Sequence, residues 1–563
     1  MDYKQAYEAW LNSDLVDEAT KSELLSIKDN DSEIEDRFYK SLEFGTAGLR
    51  GKLGAGSNRM NRYNIAKVTQ GIADFIVDKG EGPMAMGVTI AYDNRHFSPE
   101  FAKLAALIFA GNGIKAYLFE SLRPTPELSY TLLQKKATSG IIITASHNPQ
   151  DYNGYKVYWD DGAQVLDDIA DGMTAKINDV PLFTGSKEIT EEEAIAKGLL
   201  EFMGEKEDKA YIDMVKTLSI RDEGIDKDIK IVYTPLNGTG SVPVQRVLKE
   251  RGFNNITVVP EQEHPDPDFT TVGYPNPEDP RAFKYAENLG QSIDAELLIA
   301  TDPDCDRLAI EVRDSDGTYV AFNGNQTGAI LINYIVEGMH TLGTLPQNPA
   351  IVKSIVTGDM GKAIGLDYGV TTFESLTGFK NICGRIDELK EKGFNYIFGY
   401  EESIGYTTGT SVRDKDGVSS TMLLCEAAAY YKSQGKTLLD IRSELFEKYG
   451  YYKEKQIALV LEGVEGAERI KRMMSSYRKD YLKSIGSMTL EEAIDYQNGY
   501  KDIPASNVLR FMMDDGSWYA VRPSGTEPKI KLYIYTKGAT AAISEANIAL
   551  IEEEVLAKLN AID

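Results

Sequence analysis

Between Gly87 and about residue 450 the chain repeats one hydrophobic plan three times: an apolar strand, a polar loop bearing Gly or Asn, an amphipathic helix, a glycine and a second strand. The copies are GVTIAYDNRHFSPEFAKLAALIFAGNGIKAYLF from Gly87, IKIVYTPLNGTGSVPVQRVLKERGFNNITVV from Ile229 and AIVKSIVTGDMGKAIGLDYGVTTFESL from Ala350. Short apolar runs bounded by turn residues read as buried strands, and apolar spacing at i, i+3, i+4 reads as helix. A strand, crossover helix and strand of this length predict right-handed connections in a mostly parallel sheet. After about residue 450 the pattern changes to KQIALVLEG, helical GAERIKRMMSSYRKDYL, the strands ASNVLRFMMDDGSWYAVRPS and KIKLYIYTK, and a closing helix. The expected fold is α/β: three related mixed-sheet domains over 1–205, 206–318 and 319–448, then an α+β domain over 449–563. Ligands in such folds bind where strand ends meet loops, so a cleft between the domains is expected to draw its chemistry from loops.

Composition narrows the function classes. With 563 residues, 42% hydrophobic and 26% charged, the chain reads as an ordinary soluble multidomain protein, and no apolar run reaches the length of a membrane span. The opening MDYKQAYEAWLNSD lacks the basic-then-apolar order of a secretory signal, so a cytoplasmic location is expected. Three scattered cysteines, Cys305, Cys383 and Cys425, make neither a disulfide framework nor a CxxC metal pattern. The net charge of -26 repels polyanions, which argues against nucleic acid and anionic membrane as partners. An anionic ligand would need locally concentrated Lys, Arg and N–H groups.

Four loops carry candidate chemistry. In IIITASHNPQDYNGYK, residues 141–156, Ser146 and His147 follow an apolar strand. Neighbours on an extended chain point to opposite sides, which disfavours His147 as a direct base for Ser146, and the G-x-S-x-G elbow of serine hydrolases is missing. A Ser-His-Asn-Pro turn closing the strand is the plain alternative. In AELLIATDPDCDRLAIEV, Asp302, Asp304 and Asp306 suit a hard divalent cation, Mg²⁺ before others. Arg307 and Arg313 stand where an EF-hand needs Gly and Glu, and Arg307 is placed to hold a phosphoryl oxygen. In YAVRPSGTEPKIKLYIY, Arg522, Ser524, Gly525 and Thr526, with Lys529 adjacent, read as a phosphate nest, against a polar hairpin tip. In IFGYEESIGYTTG, Glu401, Glu402 and Ser403 suit a polyol, although an acidic helix N-terminus reads almost equally well.

Weaker signals surround these loops. EFGTAGLRGKLGAGSNRMN holds Arg50 among glycines, as an anion-binding loop or a linker. EVRDSDGTYVAF contains the D-x-D-G-T string of haloacid-dehalogenase phosphotransferases, but its alternating flanks favour a hairpin turn, and RDKDGVSS, residues 413–420, reads as another such turn.

Taken in order, TASHNP with NGYK, DPDCDR, GYEESIG and RPSGTEPK resemble the phosphoserine, metal, sugar and distal-phosphate loops of the α-D-phosphohexomutase superfamily, nearest its phosphoglucomutase and phosphomannomutase branch. The resemblance covers nearly the whole chain. It implies four domains around a central active-site cleft, with Ser146 as phosphorylated nucleophile and one Mg²⁺ held by Asp302, Asp304, Asp306 and an oxygen on Ser146. It implies that Arg50, Lys156 and Arg307 stabilise the transferring group, with Lys156 or His147 assisting proton transfer. Glu401 and Ser403 would bind sugar hydroxyls, TGFK at 377–380 resembles the specificity loop with Thr377, Gly378 and Lys380, and Arg522, Ser524, Gly525, Thr526 and Lys529 would hold the phosphate that does not react. The implied ligands are hexose phosphates and glucose 1,6-bisphosphate, on a monomer or weak homodimer. Phosphoglucomutase is the activity expected. Phosphomannomutase and phosphopentomutase remain alternatives, as do a metal-dependent phosphatase and a silent sugar-phosphate-binding protein. Cys383 and Arg385 carry no expected function, and Glu527 is an anion beside the proposed phosphate nest.

Overall fold

A computed structural model describes residues 2–45, 48–461, 463–524 and 529–563, with backbone alone at 463 and 464. Four sheets follow one another along the chain. The first has six strands in the order Gly48–Lys52, Tyr152–Trp159, Ser139–Ile143, Val88–Tyr92, Ala116–Phe119, Leu200–Met203. Its middle strands run parallel and are nearly all apolar, because helices cover both of their faces. The sheet is mixed, as expected: Tyr152–Trp159 turns back antiparallel against Ser139–Ile143, and Gly48–Lys52 pairs antiparallel beyond it. On one face of this sheet the helices Arg62–Asp78 and Asp167–Asp179 meet at Gly71, where an added Cβ would come within 2.5 Å of the Ile177 Cα. The front helices Tyr3–Leu11, Glu18–Ser26 and Asp31–Phe38 close a small aromatic cluster of Tyr7, Trp10, Phe38 and Tyr63.

The second sheet orders Tyr319–Phe322, Leu308–Arg313, Leu297–Thr301, Ile231–Thr234, Ile256–Val258, and the third Thr371–Ser375, Pro349–Ser354, Asn395–Glu401, Gly405–Thr408. Both are mixed, with antiparallel strands at one edge. One hydrophobic core runs through the two, from Ile231 and Leu297 to Ile351 and Phe398. The helix Gly417–Ser433 lies within that core and is buried along nearly its whole length, as its lack of a polar face requires. Its Glu426, fully buried, accepts from Arg251, Tyr334, Ser219 Oγ and the N–H groups of Ile220 and Arg221, so its charge is met on several sides.

The last sheet is antiparallel throughout, Tyr451–Val460, Lys529–Gly538, Trp518–Pro523, Leu509–Met513, Met488–Asp495, Ser484–Ile485, with the helices Gly463–Lys479 and Ala541–Asn560 packed on it. The strands at 484–495 are absent from the sequence reading, because their charged residues, such as Glu491 and Glu492, mask the alternation. This sheet docks on the third domain through Trp518 and Tyr535, stacked 4.1 Å apart against Ile355 and Val356, and through Arg510, which meets Glu374 at 2.8 Å. Among the described residues no helix is long and apolar enough to cross a membrane.

One carboxyl in the second sheet is placed at a cost. Glu311 is buried on Leu308–Arg313, its Oε2 has no hydrogen-bond partner among the described residues, and burial together with Glu287 pushes it up to about 8 from 4.5. A carboxyl raised in the fold destabilises as pH climbs through its unfolded value, because the unfolded chain ionises first, and the loss levels off above the folded value. Glu311→Gln is therefore expected to stabilise the protein by roughly 2 kcal/mol near pH 9 and very little near pH 4.5. Thermal melts at the two pH values check this, and an equal shift at both would contradict it.

Candidate active site

The strand Ser139–Ile143 leads into a sharp bend at Ser146, whose φ of 52° is left-handed. Such a backbone costs of order 1 kcal/mol for a residue with a Cβ, so outside contacts must hold it. The Ser146 N–H donates to Thr144 Oγ1 at 2.9 Å. Buried Arg95 donates to the carbonyls of Ser146, Asn148, Pro149 and Tyr152, while its Nε stands 3.2 Å from Asp93. Sequence reasoning passes over Arg95. Its one signal is the polar DNR after an apolar strand.

The bend corrects the expected separation of Ser146 and His147. Because the chain is not extended there, Ser146 Oγ and His147 Nδ1 approach to 3.2 Å. A hydrolase dyad still does not form: the Ser146 hydroxyl donates to Asp302 Oδ2 at 2.7 Å, which leaves Nδ1 as the donor in the histidine contact. Burial, then the charges of Arg307 and Arg50, lower His147 to about 2, so the ring is neutral.

Strand pairing delivers two cations to the same place. Arg50 lies opposite Gly154 and Gly48 opposite Lys156, so Arg50 and Lys156 share one face of the sheet as diagonal neighbours. Gly48 has φ 136°, and a Cβ there would lie 1.9 Å from the Tyr155 carbonyl, so the close pairing requires glycine. Arg50 Nη1 also meets Asn148 Oδ1 at 3.2 Å. Arg50 thus belongs to a strand and not to a linker.

The three aspartates sit in the loop between the buried strand Leu297–Thr301 and its antiparallel partner Leu308–Arg313. All are buried, and one oxygen of each lies within 4.8 Å of the others. Their remaining bonds sort the oxygens. Asp302 Oδ1 accepts the N–H groups of Asp306 and Arg307. Asp304 Oδ2 accepts Lys156 Nζ at 2.6 Å and Thr125 Oγ1 at 2.8 Å, and Asp306 Oδ2 faces Lys156 at 3.3 Å and Lys415 at 3.0 Å. Asp304 Oδ1 and Asp306 Oδ1 are buried without hydrogen-bond partners among the described residues. Hard oxygen donors left free in one small buried volume fit a divalent cation.

Charge balance differs among the three. Burial and the other two carboxylates push Asp302 up. Burial would raise Asp304 as well, but Lys156 outweighs it and holds the group well below the usual range; for Asp306, burial and Asp304 raise the group, and Lys415 with Lys156 and Arg307 outweighs them and lowers it. Arg307 Nε stands 3.9 Å from Asp306 Oδ1 and Nη1 3.9 Å from Glu278.

Lys415 corrects the reading of 413–420 as a plain turn. Asp416 caps the helix Gly417–Ser433, Asp414 accepts from Tyr158 at 2.6 Å, and between them Lys415 reaches the acidic triad. Nothing in one dimension distinguishes such a lysine from a solvated one, since its partner in the triad, Asp306, lies over a hundred residues away.

Opposite the metal loop stands the hairpin Asn395–Glu401, Gly405–Thr408. Glu402 and Ser403 therefore occupy a β-turn, with Glu401 closing the first strand, and the helix N-terminus alternative is excluded. The Leu308 N–H donates to the Ile404 carbonyl at 3.0 Å, which joins this hairpin to the metal loop. Buried Glu401 accepts the Gly378 N–H at 2.6 Å, bringing Thr377 and Gly378 beside it. Glu402 accepts from Thr357 Oγ1 at 3.0 Å, and burial followed by Glu401 raises it to about 7. Lys380 Nζ lies 2.9 Å from Asp167 of the first domain.

In the last domain Arg522 lies at the end of the strand Trp518–Pro523, Ser524 just past it, and Lys529 begins the next, with the Ser524 N–H donating to the Lys529 carbonyl at 2.8 Å. Gly525, Thr526 and Glu527 lie outside the described residues. Arg522 stands opposite Lys531, and the charge of Arg522 acts on Glu401 while Lys531 feels Glu402 and Glu278. Lys531 beside Arg522 and Glu278 beside Arg307 were both passed over in the sequence.

Comparison with known proteins agrees with this arrangement. The family models for Phosphoglucomutase/phosphomannomutase alpha/beta/alpha domains I, II and III match residues 41–181, 209–317 and 323–449, and the C-terminal domain model matches 458–550. A phosphoglucomutase of Staphylococcus epidermidis is 36% identical, over 92% of this chain and 95% of its own, and one of Staphylococcus aureus is 38% identical over 90% and 92%. The fold matches that of Paramecium pp63/parafusin with a TM-score of 0.72 at 19% identity, covering 93% of this chain and 96% of that one. With all four domains matched in order and relatives this similar along most of its length, the chain belongs to the phosphoglucomutase/phosphomannomutase family and is a phosphohexomutase.

Proposed function

We propose that the protein interconverts α-D-glucose 1-phosphate and glucose 6-phosphate through a phosphorylated Ser146 and a glucose 1,6-bisphosphate intermediate. The observation that carries this reading is the 2.7 Å bond from Ser146 Oγ to Asp302 Oδ2, which sets an alcohol against a buried tricarboxylate site ringed by cations. The names of the Staphylococcus relatives support glucose as the sugar.

In the proposed cycle phospho-Ser146 gives its phosphoryl group to the free hydroxyl of a hexose monophosphate. The Oγ–P bond breaks, a bond from phosphorus to the sugar oxygen forms, and the hydroxyl proton leaves. Such transfers run through a loose transition state, so positioning and charge neutralisation supply most of the catalysis. Arg50, Lys156 and Arg307 provide positive charge. Lys156 stays an ammonium because Asp304 and Asp306 outweigh its burial. Neutral His147 would accept the hydroxyl proton, and the Lys156 ammonium would supply one to the departing Ser146 oxygen. Asp302, Asp304, Asp306 and an oxygen on Ser146 would hold Mg²⁺, which when bound neutralises charge on the transferring group.

Glu401 and Ser403 would engage sugar hydroxyls beside Thr377, Gly378 and Lys380. Arg522, Ser524, Gly525, Thr526 and Lys529 would grip the second phosphate while the bisphosphate turns end for end. One reactive and one gripping site account for phosphate-binding groups in two separate loops.

A coupled assay with Mg²⁺ and catalytic hexose bisphosphate, comparing glucose 1-phosphate, mannose 1-phosphate and ribose 1-phosphate, tests the proposal. The expected result is the highest kcat/KM for glucose 1-phosphate. Preference for mannose or ribose would assign a sister mutase activity, and free phosphate as the main product would assign a phosphatase.

A further inference from the structure

One buried contact, outside the groups assigned so far, joins the domain carrying Ser146 to the loop carrying the acidic triad. Thr125, fully buried, opens the helix Thr125–Lys135 of the first domain, with Pro124 and Pro126 stiffening the chain on either side. Its backbone N–H, one of the first-turn donors that a helix cannot satisfy internally, donates to the Asp304 carbonyl at 2.9 Å. Its hydroxyl donates to Asp304 Oδ2 at 2.8 Å, the same oxygen that Lys156 Nζ approaches at 2.6 Å. The other oxygen, Oδ1, is buried with no hydrogen-bond partner among the described residues.

Neighbouring carbonyls of the loop are also tied down, each from a different part of the fold. The Pro303 carbonyl accepts from Thr239 N–H and Oγ1 at 2.8 and 2.9 Å, and the Cys305 carbonyl from the Gly417 N–H at 3.1 Å. These bonds place the backbone but leave the Asp304 carboxylate free to rotate, because the terminal torsion of aspartate is broad. Of these ties, Thr125 alone also reaches a carboxylate.

We propose that Thr125 is a positioning residue for Asp304: together with Lys156 it occupies Oδ2, and so turns Oδ1 toward the cation site. The inference rests on reading Asp302, Asp304 and Asp306 as a divalent-cation site. Because Thr125 follows the strand Ala116–Phe119 and Ser146 follows Ser139–Ile143 in the same sheet, the contact also sets the distance between nucleophile and triad.

The test is Mn²⁺ binding to the unphosphorylated full-length protein, read from the free-ion electron paramagnetic resonance signal, with thermal melts in chelator as the control for folding. Thr125→Val, nearly isosteric but without the hydroxyl, is expected to weaken Mn²⁺ about 10-fold, in the range found when a partner of a metal ligand is removed. Thr125→Ser, which keeps the hydroxyl, is expected to stay within about twofold of the unaltered protein. Unaltered affinity in Thr125→Val, or a loss in Thr125→Ser as large as in Thr125→Val, overturns the proposal in favour of simple packing. Should Thr125→Val fail to fold, Thr125→Ala takes its place with the same criterion. If the unaltered protein itself binds no Mn²⁺, the reading of the triad falls, and the role of Thr125 falls with it.

Discussion

Ser146→Ala is expected to cut mutase turnover by on the order of 10⁴-fold or more while leaving sugar-phosphate affinity within a few-fold. The size follows from what the side chain does in the proposed cycle. Among the described residues Ser146 Oγ is the one hydroxyl that donates to Asp302, from a left-handed bend that Arg95 and Thr144 hold in place. Removing it deletes the atom on which the phosphoryl group rests between half-reactions in that cycle. Sugar-phosphate binding is assigned to other elements, the Glu401 hairpin and the Arg522 strand, so it survives. Turnover of glucose 1-phosphate gives the first readout. Intact mass after incubation with glucose 1,6-bisphosphate gives the second, where one added phosphoryl group is expected on the unaltered protein and none on the variant. Equal turnover in the variant would remove Ser146 from the mechanism altogether.

Asp306→Asn is expected to lower divalent-cation affinity and activity by on the order of 10²-fold, and a chelator to abolish turnover in the unaltered protein until Mg²⁺ is restored. The three carboxylates crowd their oxygens within 4.8 Å in a buried volume. At an effective dielectric of about 20, a unit charge about 4 Å away is worth about 4 kcal/mol, so exchanging one carboxylate for an amide of the same shape removes a large part of the field that attracts a cation. Lys156 and Lys415 would remain beside Asp304 and Asn at 306, tilting the balance further toward positive charge. Calorimetric Mg²⁺ titration, with activity measured across a Mg²⁺ series, separates weaker binding from a lost catalytic step. Full activity in chelator would contradict the metal-site reading of the triad.

These two experiments bear on groups that were legible in the chain, and the reason is local. Ser146 and the triad stand in short polar loops directly after apolar strands, so residue type and place in the strand-loop-helix plan both pointed to them. The hairpin turn at Asp316-Gly317 was legible in the same way, from alternation on both flanks, and Gly317 takes φ 87° there. Lys415, Arg95, Thr125 and Lys531 were not. Each has a partner brought near by folding: Lys415 has Asp306, Arg95 the carbonyls of the serine loop, Thr125 has Asp304, and Lys531 lies opposite Arg522 on the neighbouring strand. A lysine or threonine in a sequence carries no sign of such a partner, because its type is equally at home on a solvated surface.

Hydrophobic period and loop composition, read along the chain, were enough to determine the α/β repeats, the different last domain and the loops that hold Ser146 and the acids, while the ordered motifs carried the family resemblance. Tertiary structure alone decided that Ser146 and His147 lie on the same side of a left-handed bend, that GYEESIG turns a hairpin, and which oxygens of Asp304 and Asp306 are left without a partner among the described residues. The division has a physical cause. Periodicity reports which side of an element meets a core, a property of neighbours a few residues apart, whereas the direction of a carboxylate or a guanidinium is set by hydrogen bonds and charges from strands and helices that are distant in the chain.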